Sequence, residues 1–360
     1  MFTATDYALM ERALHLAQRG LYTTDPNPRV GCVLVCDGAV IGEAWHHKAG
    51  EPHAEVLALE QAGELARGAT AYVTLEPCSH YGRTPPCADA LIAAGIKCVV
   101  IAATDPNPLV HGQGVAKLRA AGVTVEVGLL QAQAEILNVG FNKRMQTGLP
   151  LVRVKLAASL DGRTALANGV SQWLSNEQSR ADVQHWRARS SAILTGVGTL
   201  LADDPQLSVR ANDINMLGRQ PLRVICDSQL RTPATARAIQ EAGAVIYTAI
   251  EPQARGAAEV MQVPTDPHGG VDLLSVLRDL AKRGCNEVLV EAGGVLSGRL
   301  FEQHLVDELL LYVAPVLLGP DARALLQLPL LVSMQQRSEL DLLDMQSIGS
   351  DVRLHYQVKG

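Results

Sequence analysis

His53-Ala54-Glu55 and Pro77-Cys78, the second running on through Ser79-His80-Tyr81-Gly82-Arg83-Thr84-Pro85-Pro86 to Cys87, decide how the first part of the chain reads. One imidazole and two thiols form the three-ligand set of a catalytic zinc, which keeps its fourth position for water. Water bound there has its pKa pulled to about 7, so hydroxide is available at neutral pH. Glu55, two residues past His53, can reach that water without binding the metal. A carboxylate so placed carries a proton from water to a ring nitrogen and on to a leaving amine. His-x-Glu followed by Pro-Cys-x-x-Cys is the signature of zinc deaminases. Here eight residues, not two, separate the cysteines. Pro86 suits the first turn of a helix, where its missing N–H is no loss, so Cys87 is expected to open a helix over Cys87–Ala94. A closed structural site would need a fourth ligand, for which His80 is the nearby candidate, and would leave Glu55 without purpose.

The 360 residues suffice for two cores, and 48% hydrophobic with 19% charged residues describes an ordinary globular protein. A net charge of −6 and 4% aromatics give no basic footprint or stacking platform for nucleic acid. Met1–Leu9 lacks the apolar core of a signal peptide, and no apolar run approaches the ~20 residues of a membrane helix. Seven cysteines without disulfide-like spacing fit a reducing cytoplasm.

Apolar spacing predicts a helix over Thr5–Arg19. The apolar run Val30–Cys36, the hairpin signal Asp37-Gly38 and a return strand Ala39–Trp45 follow. A helix is expected over His53–Ala66, with strands at Thr70–Leu75, Cys98–Ala102 and Val123–Val127, and helices over Gly114–Ala121 and Leu129–Arg144. This is the alternation of a layered, largely parallel α/β domain. A boundary falls at Met145–Pro150, giving domains 1–146 and 151–360. In the second, strands are expected at Leu151–Ala158, Ala192–Thr195, Leu222–Cys226, Ala244–Tyr247, Glu287–Val290, Glu308–Val316, Asp341–Met345 and Arg353–Gln357. Ser175-Asn176-Glu177-Gln178 reads as a capping box opening a helix to about Arg189. Val271–Arg283 reads as a helix and Glu251–Gly270 as exposed loop.

Glu291-Ala292-Gly293-Gly294-Val295-Leu296-Ser297-Gly298-Arg299 leaves a strand and enters a helix. Glycines at such a turn let backbone N–H groups approach a phosphate, or serve only as a sharp bend. Gly196-Val197-Gly198 is a second glycine turn after a strand, which favours a nucleotide-sized ligand.

Across nearly its whole length the chain resembles the bifunctional RibD family of riboflavin biosynthesis. The matching runs are Pro26-Asn27-Pro28-Arg29-Val30-Gly31-Cys32, Gly50-Glu51-Pro52-His53-Ala54-Glu55, Glu76-Pro77-Cys78-Ser79-His80 and Gly82-Arg83-Thr84-Pro85-Pro86-Cys87. In the second half they are Lys155 through Thr164, Ser171-Gln172-Trp173, Ala202-Asp203-Asp204-Pro205 and Glu291-Ala292-Gly293-Gly294. The resemblance implies a cytidine-deaminase-like domain fused to a dihydrofolate-reductase-like domain. It also implies one zinc per chain, NADPH, and a homodimer or larger assembly. The first domain would remove the 2-amino group of 2,5-diamino-6-ribosylamino-4-pyrimidinone 5′-phosphate. The second would reduce the ribosyl C1′ of the product to a ribityl chain. By similarity Asn27, His46 and Arg83 hold the first substrate. Ala157, Trp173, Thr199, Asp203, Ser228 and Gly293 through Arg299, including Val295, Leu296, Ser297 and Gly298, surround NADPH. Lys155, Ser171, Arg187, Leu207, Arg210 and Glu291 surround the second substrate. Bland readings stand beside these: His46 as a surface residue beside His47, Arg83 as a solvated loop charge, and Trp173 as core. Rival functions are a deaminase of tRNA or free cytosine, a zinc-stabilised binding protein, and an active deaminase carrying an inactive reductase-like half.

Overall fold

Short apolar runs alternating with helices become two main sheets, one in each of two compact units, Met1–Gly148 and Leu149–Gly360, with a small two-stranded sheet besides in the second. The computed structural model describes residues 1–79, 86–108 and 110–359. In the first unit α1 (Ala4–Gln18) begins at Thr3, whose hydroxyl accepts the Asp6 N–H while the Asp6 carboxylate accepts that of Thr3. β1 (Gly31–Cys36) and β2 (Ala39–Trp45) form a hairpin. Its two turn residues, Asp37 and Gly38, have φ of 50° and 79°, the pair of positive values a type I′ turn requires. Then come α2 (Ala54–Ala62), extended by a 3₁₀ turn over Gly63–Ala66, β3 (Thr70–Leu75), α3 (Cys87–Ala93) and β4 (Cys98–Ala103). The unit closes with α4 (Gln113–Ala120), β5 (Thr124–Val127), α5 (Gln131–Leu137) and α6 (Val139–Thr147).

The sheet order is β2-β1-β3-β4-β5, with β1 antiparallel to both neighbours and β3, β4 and β5 parallel. Alternate residues feed two cores. Cys32, Leu34, Val73 and Ile101 pack with Ala58, Leu91 and Leu118, whereas Val33, Tyr72 and Val100 pack with Met10 and Leu129. Helices therefore cover both faces. At Gly31 a Cβ would fall 2.0 Å from Ala13 O, so α1 lies directly on the β1 backbone. The parallel β3 and β4 end side by side, the usual place for a site in an α/β sheet.

The second unit contains β6 (Leu151–Ser159), β7 (Arg163–Ala165), α7 (Glu177–Arg189), β8 (Ala192–Gly196), α8 (Val197–Asp203), β9 (Leu222–Cys226), β10 (Ala244–Thr248) and β11 (Glu259–Gln262). It continues with α9 (Leu273–Lys282), β12 (Glu287–Val290), α10 (Gly294–Glu302), β13 (Glu308–Ala314), β14 (Arg323–Ala324), β15 (Leu340–Ile348) and β16 (Asp351–Val358). The main sheet runs β11-β10-β9-β8-β12-β6-β13-β16-β15, parallel as far as β13 and antiparallel beyond.

Several sequence expectations need correction. The helix over Leu129–Arg144 breaks at Asn138, whose amide is spent on Arg29: Oδ1 accepts the Arg29 N–H at 2.8 Å and Nδ2 donates to Arg29 O at 2.9 Å. The N-cap of α7 is Asn176, accepting the Ser179 N–H, in place of the capping box read from Ser175. Glu251–Gly270 contains the edge strand β11. Pro86 stands at the N-cap of α3, one position before the first turn. Gly196-Val197-Gly198 is the opening of α8, with Gly196 at its N-cap.

Candidate active sites

His53 is the N-cap of α2, Cys78 follows the carboxyl end of β3, and Cys87 is the first residue of α3. Those three element ends bring one donor atom from each residue to within 4.8 Å of the others. His53 Nδ1 lies 3.2 Å from Cys87 Sγ and 3.7 Å from Cys78 Sγ, and the Cys87 N–H donates to Cys78 Sγ at 3.2 Å. The Cys87 hydrogen bond, ahead of His53, pulls the pKa of Cys78 well down, whereas the same contact and burial push that of Cys87 up. Glu55, in the first turn of α2, is 3% exposed, and its Oε2 has no hydrogen-bond partner. Burial lifts its carboxyl to about 7. An imidazole, two thiols and a buried carboxyl with an open oxygen are the donor chemistry of a zinc site with room for a reacting water.

Asn27 and His46 join this cluster. Asn27 Nδ2 stands 3.0 Å from His46 Nε2, and His46 Nδ1 lies 3.2 Å from Pro52 O, one residue before His53. The His46 ring meets the His53 ring edge-on at 5.2 Å between centroids. His46 is buried, not on the surface, and burial lowers its pKa, favouring the neutral ring. Arg83 and His80 lie outside the described residues.

In the second unit the Glu291 carboxylate accepts from Arg187 Nε at 2.6 Å and Nη2 at 2.8 Å, while Nη1 donates to Ser208 O at 3.1 Å. Burial would raise Glu291, yet Arg187 and then Lys155 hold it below the usual carboxylate range. Lys155, on β6, has its ammonium 5.5 Å from the Tyr312 ring centre, and burial draws its pKa down. Burial and then the guanidiniums of Arg187 and Arg237 depress Arg210, so these three cations share one region, with exposed Arg210 at its edge. Leu207 is buried with φ of 51°, a strained conformation for a leucine.

Gly293 is the N-cap of α10, and its N–H donates to Thr199 Oγ1 of α8 at 3.2 Å. A Cβ there would meet only Thr199 Oγ1, at 3.9 Å, so the approach to these amides is open and fits a phosphate group. Gly294 and Gly298 serve a different purpose. Their Cβ atoms would fall 3.0 Å from Leu325 O and 2.1 Å from Gln327 O, so they seat the neighbouring chain on α10. Ser297 is buried, Leu296 packs on Gly196, and Arg299 turns to Asp266 at 3.1 Å; Val295 is exposed. Trp173 is exposed, not core, with Arg180 stacked 4.5 Å from its ring centre. Gln172 beside it lies 3.5 Å from Asp203 of α8. Ala157 is on β6, and half-buried Ser228 follows β9; Ser171, half-buried too, precedes α7. Sequence reasoning quoted Glu76 within a matching run but gave it no role, and did not name Arg237. Arg237 left no signal, whereas Glu76 was visible as an unexplained carboxylate before Pro77-Cys78.

Residues 150–354 match the family model of the RibD C-terminal domain, and residues 3–103 that of the cytidine and deoxycytidylate deaminase zinc-binding region. The chain is 49% identical to riboflavin biosynthesis protein RibD of Escherichia coli (strain K12), over 97% of this chain and 98% of that protein. It is 48% identical to the Haemophilus influenzae protein of the same name, over 100% and 99% of the two chains. Among solved structures, Acinetobacter baumannii RibD (form 2) superposes with a TM-score of 0.91 at 47% identity, covering 99% of both chains. The chain belongs to the RibD family. It is a riboflavin-biosynthesis enzyme with a deaminase half and a reductase half. RibD folds are cytidine-deaminase-like in the first unit and dihydrofolate-reductase-like in the second, and the cofactors are zinc and NADPH. A Thermotoga maritima structure at 33% identity and a TM-score of 0.86, covering 99% of both chains, is described as a diaminohydroxyphosphoribosylaminopyrimidine deaminase/5-amino-6-(5-phosphoribosylamino)uracil reductase.

Proposed function

We propose that the unit Met1–Gly148 removes the 2-amino group of 2,5-diamino-6-ribosylamino-4-pyrimidinone 5′-phosphate. The unit Leu149–Gly360 then reduces the ribosyl C1′ of the deaminated product to a ribityl chain. The observation that carries the reading is the convergence of His53, Cys78 and Cys87 beside the unpartnered Oε2 of buried Glu55. These three residues would hold zinc, which when bound supplies the Lewis acidity that makes water nucleophilic at neutral pH. Glu55 Oε2 takes one proton from the attacking water and passes it to the ring nitrogen next to the reacting carbon. It then takes the second proton from the hydroxyl now on that carbon and gives it to the amine, which leaves as ammonia as the C–N bond breaks and the carbonyl forms. A buried carboxyl with an oxygen free of other partners can both accept and give that proton. His46, held between Pro52 O and Asn27 Nδ2, would orient the Asn27 amide toward the pyrimidine edge, and Arg83 would meet the phosphate.

In the second unit the amides around Gly293, with Thr199, would hold the pyrophosphate of NADPH, which when bound supplies the hydride. Trp173, Asp203, Ala157 and Ser228 would complete its surroundings. Because Glu291 occupies the Arg187 fork, Arg210 is the better partner for the sugar phosphate. Glu291, Lys155, Ser171 and Leu207 would line the ribose.

No helix of the described residues is long and apolar enough to cross a membrane. Two thiols that must stay reduced to bind metal, among seven free cysteines, favour the cytoplasm. The edge strand β15 exposes Leu340, Leu342, Leu343 and Met345, which suits a second copy of the chain; sedimentation across protein concentrations tests that assembly.

The test is Cys87→Ser beside the parent protein, measuring zinc per chain, ammonia release and NADPH oxidation on the pyrimidine. The parent should hold one zinc and catalyse both steps. The variant should lose most zinc and ammonia release, because a hydroxyl is a poor substitute for thiolate. Full zinc in Cys87→Ser removes that ligand from the site, and a parent that never oxidises NADPH contradicts the reductase half.

A further inference from the structure

Glu76 joins the end of β3 to the Pro77–Cys78 turn and has no part in the chemistry described above. It is 5% exposed, yet its carboxylate is fully satisfied by main chain. Oε1 accepts from the N–H groups of Gly114 at 2.9 Å and Val115 at 3.1 Å. Oε2 accepts from those of Asp105 and Gly112, both at 3.0 Å. Four amides occupy the acceptor sites of one carboxylate, which compensates the cost of burying its charge. The result fastens the loop after β4 and the first turn of α4 to the residue that leads into Cys78.

The packing at this point is close. A Cβ on Gly114 would fall 2.0 Å from Pro77 O, so the start of α4 rests against the peptide entering Cys78. From the other side the Cys87 N–H donates to Cys78 Sγ at 3.2 Å and the Ala88 N–H to Cys78 O at 3.1 Å. Cys78 is thus held between α3 and a helix start that Glu76 anchors.

We propose that Glu76, by gathering the amides of Asp105, Gly112, Gly114 and Val115, is a positioning residue that sets Cys78 Sγ at metal-binding distance from His53 and Cys87. This rests on reading those three residues as zinc ligands. Glu76 touches neither metal nor substrate, so its effect belongs in zinc affinity before it belongs in the chemical step.

Glu76→Gln in the full chain tests this. Glutamine keeps the shape and one acceptor oxygen but turns an NH₂ toward two amide donors. Zinc affinity is measured by competition with a chromophoric chelator. Melting at saturating zinc and NADPH oxidation on deaminated substrate report the fold of each unit. Affinity should fall about 10–100-fold, as when the partners that orient metal ligands are lost. Ammonia release, reduced without added zinc, should recover as zinc is raised. Glu76→Asp, which keeps both oxygens on a shorter stem, should fall between. Parent-like zinc affinity in Glu76→Gln, even with a lower melting temperature, overturns the proposal and leaves Glu76 a residue of the fold alone. If Glu76→Gln does not fold, the affinity of Glu76→Asp decides by the same criterion. Cys78→Ser in the same titration separates the two readings: unchanged affinity there contradicts the ligand assignment itself.

Discussion

Glu55 and Glu308 are both buried carboxyls, yet their neighbours give them opposite characters. Glu55 has an open Oε2, and burial lifts it to about 7. Glu308 would also be raised by burial, but Arg153 and then His355 hold it at about 2. Arg153, 1% exposed as a side chain, bridges Glu308 at 2.6 Å and Glu287 at 3.1 Å, and His355 Nε2 stands 2.8 Å from Glu308. A carboxyl depressed in the folded state stabilises above its unfolded pKa, near 4.5, and loses that contribution as pH falls toward about 2. The second unit should therefore lose stability, on the order of 3 kcal/mol from this group, between those pH values. Glu308→Gln should flatten the loss; chemical denaturation of both proteins across that range checks it, and identical slopes would contradict it. That His53, Cys78 and Cys87 would converge was legible because residue type and order carry the pattern. This ion cluster was not, because its members come from β6, β12, β13 and β16 and meet only through sheet pairing.

At the scale of elements, α10 shows why a glycine-rich run underdetermines its own purpose. Strand, turn and helix were readable from Glu287 to Arg299, but not which glycine faces a ligand and which faces the chain. Gly293 gives its N–H to Thr199 and leaves open space where a side chain would stand, whereas Gly294 and Gly298 receive the carbonyls of Leu325 and Gln327. Gly293→Val should therefore weaken NADPH binding at least tenfold with little change in melting. Gly294→Val should lower the stability of the second unit by about 1–3 kcal/mol through overpacking. Cofactor titration and thermal melting of the pair check this; equal NADPH affinity in Gly293→Val and the parent would remove Gly293 from the cofactor site. The broken helix at Asn138 has a similar origin. Its apolar periodicity continues across the break, and only the tertiary partner Arg29 shows why the amide leaves the helix.

On the scale of the whole molecule, two units with separate sheets and cores carry two sets of chemistry. Their order along the chain was readable from two rounds of strand–helix alternation. The edge strand β11 was missed because Glu259–Gln262 is short and only partly buried, leaving a weak pattern. Glu55→Gln tests the central claim most directly, because it removes a proton carrier while keeping size and hydrogen bonding. On one preparation, zinc content, ammonia release from the diaminopyrimidine and NADPH oxidation on already deaminated substrate are measured together. Zinc should remain, ammonia release should fall about 10²–10⁴-fold, and NADPH oxidation should proceed at the parent rate; ammonia release near the parent rate would contradict the assignment of Glu55 and the mechanism built on it.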